Sequence, residues 1–123
     1  MRVIGPEFRL HCICATYLTA CLKPPAWWTS LEHGVKLPPA TARRLQRVGV
    51  RAGIPDILII NEGLAYWIEL KAPKTGRLSE AQILTRDRLW DAGACWAMAR
   101  SLDELRARLI AWGIPLRETK MVA

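Results

Sequence analysis

The sequence predicts an α/β fold, a small mixed β-sheet with a central hairpin and helices on both faces. Two β-rich runs, residues 54–60 and 64–71, stand on either side of the turn residues Asn61-Glu62-Gly63. Helical patterns with recognisable starts surround that hairpin. A length of 123 residues with 51% apolar and 24% charged residues suits one domain with one core, and excludes a disordered chain or two separate cores. The expected domain covers residues 1–116, with a loose tail at 117–123.

Gly5-Pro6 sets up a helix with proline in its first turn, and nothing breaks it until Lys23-Pro24-Pro25. At 100° per residue, Glu7, His11, Cys14, Leu18 and Cys21 share one stripe of it. Residues 26–31 are aromatic and Thr-containing, as in a strand, and Gly34 with Pro38-Pro39 marks a loop. Residues 40–48 form a short basic helix that stops before Gly49. In the hairpin, a turn centred on Glu62-Gly63 puts Asp56 opposite Glu69, and Lys71 shares the face of Glu69. Ser79-Glu80-Ala81-Gln82 is a capping box opening a helix that ends at Gly93. Ala81, Leu84, Leu89 and Ala92 are its expected core face, with Ile83 and Trp90 nearly opposite as an exposed second stripe. Residues 95–99 read as a short strand. Ser101-Leu102-Asp103-Glu104 is a second capping box, opening a helix with Leu102, Leu105, Leu109 and Trp112 on one side.

Eighteen basic residues against eleven acidic ones give a net charge of +7, which favours polyanionic partners. No apolar run is long enough to span a bilayer, so no membrane association is expected. Leu18-Thr19-Ala20-Cys21 resembles a lipoprotein cleavage site, but Glu7, Arg9 and His11 interrupt the apolar segment such a signal needs, and the stretch reads as a helix of the mature fold. Three of the four cysteines crowd that helix as small hydrophobes, giving no disulfide framework and a cytoplasmic expectation. His11, Cys14 and Cys21 lack the second ligand pair that structural zinc draws from another segment.

Asp56 begins one hairpin strand, and thirteen residues on, Glu69 and Lys71 lie two apart on its partner. Among Ile57, Ile59 and Ile68, two carboxylates are costly unless compensated, and a divalent cation is the usual compensation. A solvated cross-strand salt-bridge cluster is the plainer alternative, at odds with the apolar neighbours.

The segments Gly53-Ile54-Pro55-Asp56, Ile68-Glu69-Leu70-Lys71 and Leu78-Ser79-Glu80-Ala81-Gln82 together resemble the PD-(D/E)xK nucleases and, within them, the VRR-NUC family. The likeness runs from about residue 51 to 82, with further support from the Glu7 helix and residues 90–93. It implies a restriction-endonuclease-like core and a divalent-metal-dependent DNA endonuclease that hydrolyses phosphodiester bonds. Asp56, Glu69, the backbone carbonyl of Leu70 and Glu7 would then hold Mg²⁺ or Mn²⁺, Lys71 would activate water, and Gln82 would complete the catalytic set. Where the family pattern often places a glutamine one turn after its early acid, this chain has His11. Small stand-alone members resemble structure-specific nucleases acting on branched DNA, such as Holliday junctions and flaps, and look like products of phage or mobile elements.

Lys36, Arg43, Arg44, Arg47, Arg51, Lys74 and Arg77 flank the acidic motif in sequence and are the expected DNA-phosphate contacts. A two-fold symmetric junction suits a homodimer, for which the Ile83 and Trp90 stripe offers a surface. No organic cofactor is expected. A catalytically inert nucleic-acid-binding module on the same fold is the alternative function.

Overall fold

The structure is a computed structural model that describes residues 5–31 and 37–117. The chain runs α1 (Pro6–Cys21), β1 (Trp27–Ser30), α2 (Pro39–Arg47), β2 (Ile57–Asn61), β3 (Leu64–Leu70), α3 (Glu80–Asp91), β4 (Cys95–Ala99) and α4 (Leu102–Ala111). This is the element order expected from the sequence, and it makes a four-stranded mixed sheet flanked by helices.

The sheet is ordered β1-β2-β3-β4. β1 to β3 are antiparallel, and β4 runs parallel to β3 after the crossover that α3 provides. Ile57 pairs with Ile68 and Asn61 with Leu64, leaving Glu62 and Gly63 as a two-residue turn with φ of 50° and 80°. Positive φ at both turn positions is the type I′ geometry that follows the twist of a hairpin. Extended by one pair, this register puts Asp56 across from Glu69.

Alternation sends Ile57, Ile59, Tyr66, Ile68 and Leu70 to one face, where they pack against Leu10, Cys14, Leu18 and Cys21 of α1 and Leu105 and Leu109 of α4. Burial pushes the Cys14 thiol up to about 11. All four cysteines are thiols outside any disulfide, and Cys14 and Cys21 lie in the core, as their reading as small hydrophobes requires. No described helix is long and apolar enough to cross a membrane.

α3 covers the opposite sheet face, and here the expected core face is only half right. Ala81 and Leu89 turn partly inward, but Leu84 is 52% exposed, Ala92 is also exposed, and no residue of α3 is fully buried. The inward side also carries Gln82, Thr85 and Arg86. The rule that a helix turns its apolar stripe inward fails because this helix lies over a polar site. Trp90 is exposed as expected, yet it is not a free ring: it meets Trp96 edge-on at 5.8 Å, and the Arg86 guanidinium sits 4.8 Å from its centroid.

The Ser79 capping box forms in full, whereas the second is split. Ser101 Oγ accepts from the Glu104 N–H, but the Glu104 carboxylate accepts from the Arg100 N–H instead of that of Ser101. Arg117, expected to begin a loose tail, donates its N–H to the Cys21 carbonyl at 2.7 Å. The tail positions after it lie outside the described residues.

Candidate active site

Three carboxylates from three segments converge. Glu7 comes from the first turn of α1, Asp56 precedes β2, and Glu69 lies near the end of β3. One oxygen of each lies within 4.8 Å of the others, and this is the only such grouping of His, Cys, Asp or Glu among the described residues. His11, one turn after Glu7 and half-buried, is not part of it.

Glu69 is the centre of the cluster. It is 2% exposed, and burial, reinforced by the charges of Asp56 and Glu7 and opposed by Lys71, lifts its carboxyl from 4.5 to about 8. Its two oxygens differ. Oε1 faces the Lys71 ammonium at 3.7 Å and accepts from Gln82 Nε2 at 2.6 Å, whereas Oε2 is buried without a hydrogen-bond partner among the described residues. Lys71 is itself buried. A solvated surface salt-bridge cluster is therefore not what these residues form.

The backbone holds these groups in place. Asp56 Oδ2 accepts from the Leu70 N–H at 2.7 Å, tying the entrance of β2 to the strand that carries Glu69 and Lys71. Gln82 has two tasks at once: its Oε1 accepts from the Ser79 N–H at 2.8 Å, closing the capping box, and this fixes the amide so that Nε2 points at Glu69. The helix start thus orients a side chain of the site.

Two glycines permit the close approaches. At Gly53, φ is +78° and a Cβ would run into the Ala81 carbonyl and stand 2.8 Å from the Gln82 nitrogen. This brings the segment leading into Asp56 against the start of α3, where Thr85 Oγ1 donates to the Ala52 carbonyl at 2.8 Å. At Gly76 a Cβ would stand 2.9 Å from Lys71 Cβ and 2.7 Å from the Ala72 nitrogen, so the turn after β3 folds directly onto the lysine.

Arg43, Arg44, Arg47, Arg51, Lys74 and Arg77 are all exposed. Arg43, Arg44 and Arg47 share one side of α2, opposite its half-buried Ala42 and Leu45. The connection bearing α2 leaves the sheet at Leu31, whose N–H donates to the Asp56 carbonyl, and returns at Asp56 itself. Both ends of the basic segment are therefore anchored at the carboxylate cluster. Lys36 lies outside the described residues.

No family model matches the chain, and no curated protein matches it in sequence. Among solved structures, one described as a VRR_NUC domain protein superimposes with a TM-score of 0.64 at 17% identity, covering 91% of this chain and 90% of that one. Another, described as a VRR_NUC domain, gives 0.57 at 17% identity over 87% of this chain and 96% of that one. The fold is that of VRR_NUC domains. The backbone thus has the fold that the residue pattern implies.

Sequence reasoning missed Arg100. Its Nη1 donates to the Ala72 carbonyl at 2.9 Å, on the residue after Lys71, while Glu104 holds its backbone N–H. These partners are 28 residues apart, and no local periodicity signals the contact. The role of Gly53 had a signal, a glycine directly before Ile54-Pro55-Asp56, but its partner on α3 did not.

Proposed function

We propose that this protein is a divalent-metal-dependent DNA endonuclease of the VRR-NUC family that hydrolyses phosphodiester bonds. The observation that carries the reading is the convergence of Glu7, Asp56 and Glu69 beside a buried lysine. The donor set fits Mg²⁺ or Mn²⁺: it is all hard oxygen, and it includes the buried Glu69 Oε2 that no donor among the described residues satisfies. Asp56, Glu69, Glu7 and the Leu70 carbonyl are the ligands we assign. A divalent ion held there supplies Lewis-acid polarisation of the phosphate and makes water more acidic.

The protein's own groups supply the rest. Lys71 Nζ, a point charge in a water-poor setting, orients and activates the attacking water and offsets the negative charge that grows on the phosphate oxygens. Water attacks phosphorus in line with the P–O3′ bond, which breaks to leave a 3′-hydroxyl and a 5′-phosphate. Gln82 keeps Glu69 aimed by donating to Oε1. As contacts to the DNA backbone we assign Arg43, Arg44, Arg47 and Arg51, together with Lys36, Lys74 and Arg77, on their charge and their place in the sequence around the acidic motif.

Family resemblance supports branched DNA, a Holliday junction or flap, as the preferred substrate and a phage or mobile element as the setting. For a two-fold symmetric junction we propose a homodimer, joined through the exposed Ile83 and Trp90 of α3. Light scattering at micromolar concentration gives twice 13.9 kDa if this is right, and a mass that stays at 13.9 kDa overturns it.

The decisive experiment incubates the protein with labelled duplex, single-stranded, flap and four-way-junction DNA in EDTA, Mg²⁺ or Mn²⁺, beside Asp56→Ala and Lys71→Ala. Metal-dependent cutting that disappears in both folded variants is expected. Binding without cutting in any metal would make the protein an inert nucleic-acid-binding module.

A further inference from the structure

The sheet face that carries Glu69 continues away from the carboxylates to an exposed tryptophan. Trp27 pairs with Ile60 and Ile60 with Ala65, and Ala65 precedes Glu69 by four residues on β3. Side-chain alternation therefore puts Trp27 and Glu69 on one face. Four residues along the strands and two strands across separate them by about 16 Å of sheet surface. Half-buried Leu58 and Ile60 floor the interval.

α3 packs against β4, at the opposite edge of the sheet from β1. Trp27 accordingly keeps 58% of its surface in solvent, while its neighbour Trp28 packs against the core. Ile13 and Ile110, also well exposed, sit on α1 and α4, which cover the other face of the sheet.

We propose that Trp27 is a stacking platform for an unpaired nucleobase on the DNA strand that leaves the Glu69 site along this face. The proposal rests on reading that site as one that cuts DNA. The occupant follows from what the face connects. At one end are groups suited to a phosphate, and the segment that links β1 to β2 there carries Arg43, Arg44, Arg47 and Arg51. A strand led by its backbone over an apolar floor turns its bases towards that floor, and an aromatic face accepts any base. Selection then falls on an unpaired segment beside the cut, which a branch point supplies and an intact duplex does not. Sequence plays no part in it.

The test is binding in EDTA, without cutting, of a fluorescent thymidine oligonucleotide and an abasic oligonucleotide of equal length. The wild-type protein is expected to prefer thymidine by about fivefold or more, the effect of one stacked base. Trp27→Ala should lose that preference without weakening abasic binding, and Trp27→Phe should retain it, whereas Ile110→Ala should change nothing. Tryptophan emission gives a second reading that does not depend on an alanine variant folding: quenching by thymidine over abasic DNA should be present in the wild type and missing in Trp27→Phe. Equal affinity for both oligonucleotides, a preference that survives in Trp27→Ala, or a halved solution mass in that variant would each overturn the proposal, the last by making Trp27 a contact between copies. Cutting and stacking fail separately: a protein that never cuts in Mg²⁺ or Mn²⁺ yet shows the Trp27-dependent preference refutes the nuclease and keeps the platform.

Discussion

Replacing Glu69 by glutamine tests the electrostatics of the carboxylate cluster without any assumption about substrate. In the metal-free protein, burial and then the Asp56 charge lift the Glu69 carboxyl from 4.5 to about 8, while in the unfolded chain it returns to its ordinary value. Between these two values the folded state holds a proton that the unfolded state has released. Stability from a raised carboxyl is complete below about pH 4.5 and drains away as pH climbs to about 8. At about 1.36 kcal/mol per unit, the loss over that window is at most about 5 kcal/mol, a large share of the 5–15 kcal/mol that holds an ordinary domain together. The amide of the Glu69→Gln variant cannot ionise. Urea unfolding in EDTA, from about pH 5 to about pH 9, should therefore show the wild type losing several kcal/mol relative to Glu69→Gln as pH rises. Adding Mg²⁺ should flatten the wild-type curve, because ion binding expels the proton, and should leave the variant unmoved. Curves that run parallel within about 0.5 kcal/mol across the range would refute the crowded-carboxylate argument.

Gln82→Glu preserves an acceptor for the Ser79 N–H but turns a carboxylate towards Glu69 in place of a donor; calorimetry should show metal affinity falling about 10- to 100-fold with helix content unchanged, whereas an unaltered affinity would reduce Gln82 to a helix cap. Gly53→Ala should destabilise the fold by more than about 2 kcal/mol in urea unfolding, since the new Cβ meets backbone at a positive φ, and Gly63→Ala by only about 1 kcal/mol, since its surroundings are open; equal losses would remove the packing argument.

The parts of this molecule that were legible in its sequence are those set by local rules. The hairpin register followed from a period of two and a turn that demands positive φ, and it put Asp56 opposite Glu69 to the residue. α1, the Ser79 capping box and the inward leucines of α4 are local in the same sense. What could not be read is what depends on the sheet bringing distant segments together. Gln82 signals a helix cap in the sequence, but its second bond, to Glu69, appears only once the start of α3 reaches the end of β3. Glu7 reads in the sequence as one acid on the α1 stripe, and its approach to Asp56 and Glu69 appears only in the fold. Leu84 was misassigned because periodicity locates an apolar stripe without saying what the opposing surface is made of; over a polar site the helix turns a glutamine and an arginine inward.

The contact between Gly53 and α3 bears on how tolerance maps of this protein should be interpreted. A scan of all substitutions would show position 53 as intolerant as the acids, although glycine has no side chain that could bind an ion or move a proton. Intolerance there would report geometry, through the placement of Asp56 and Gln82, and only a measurement that separates folding from ion binding would tell the two kinds of silence apart.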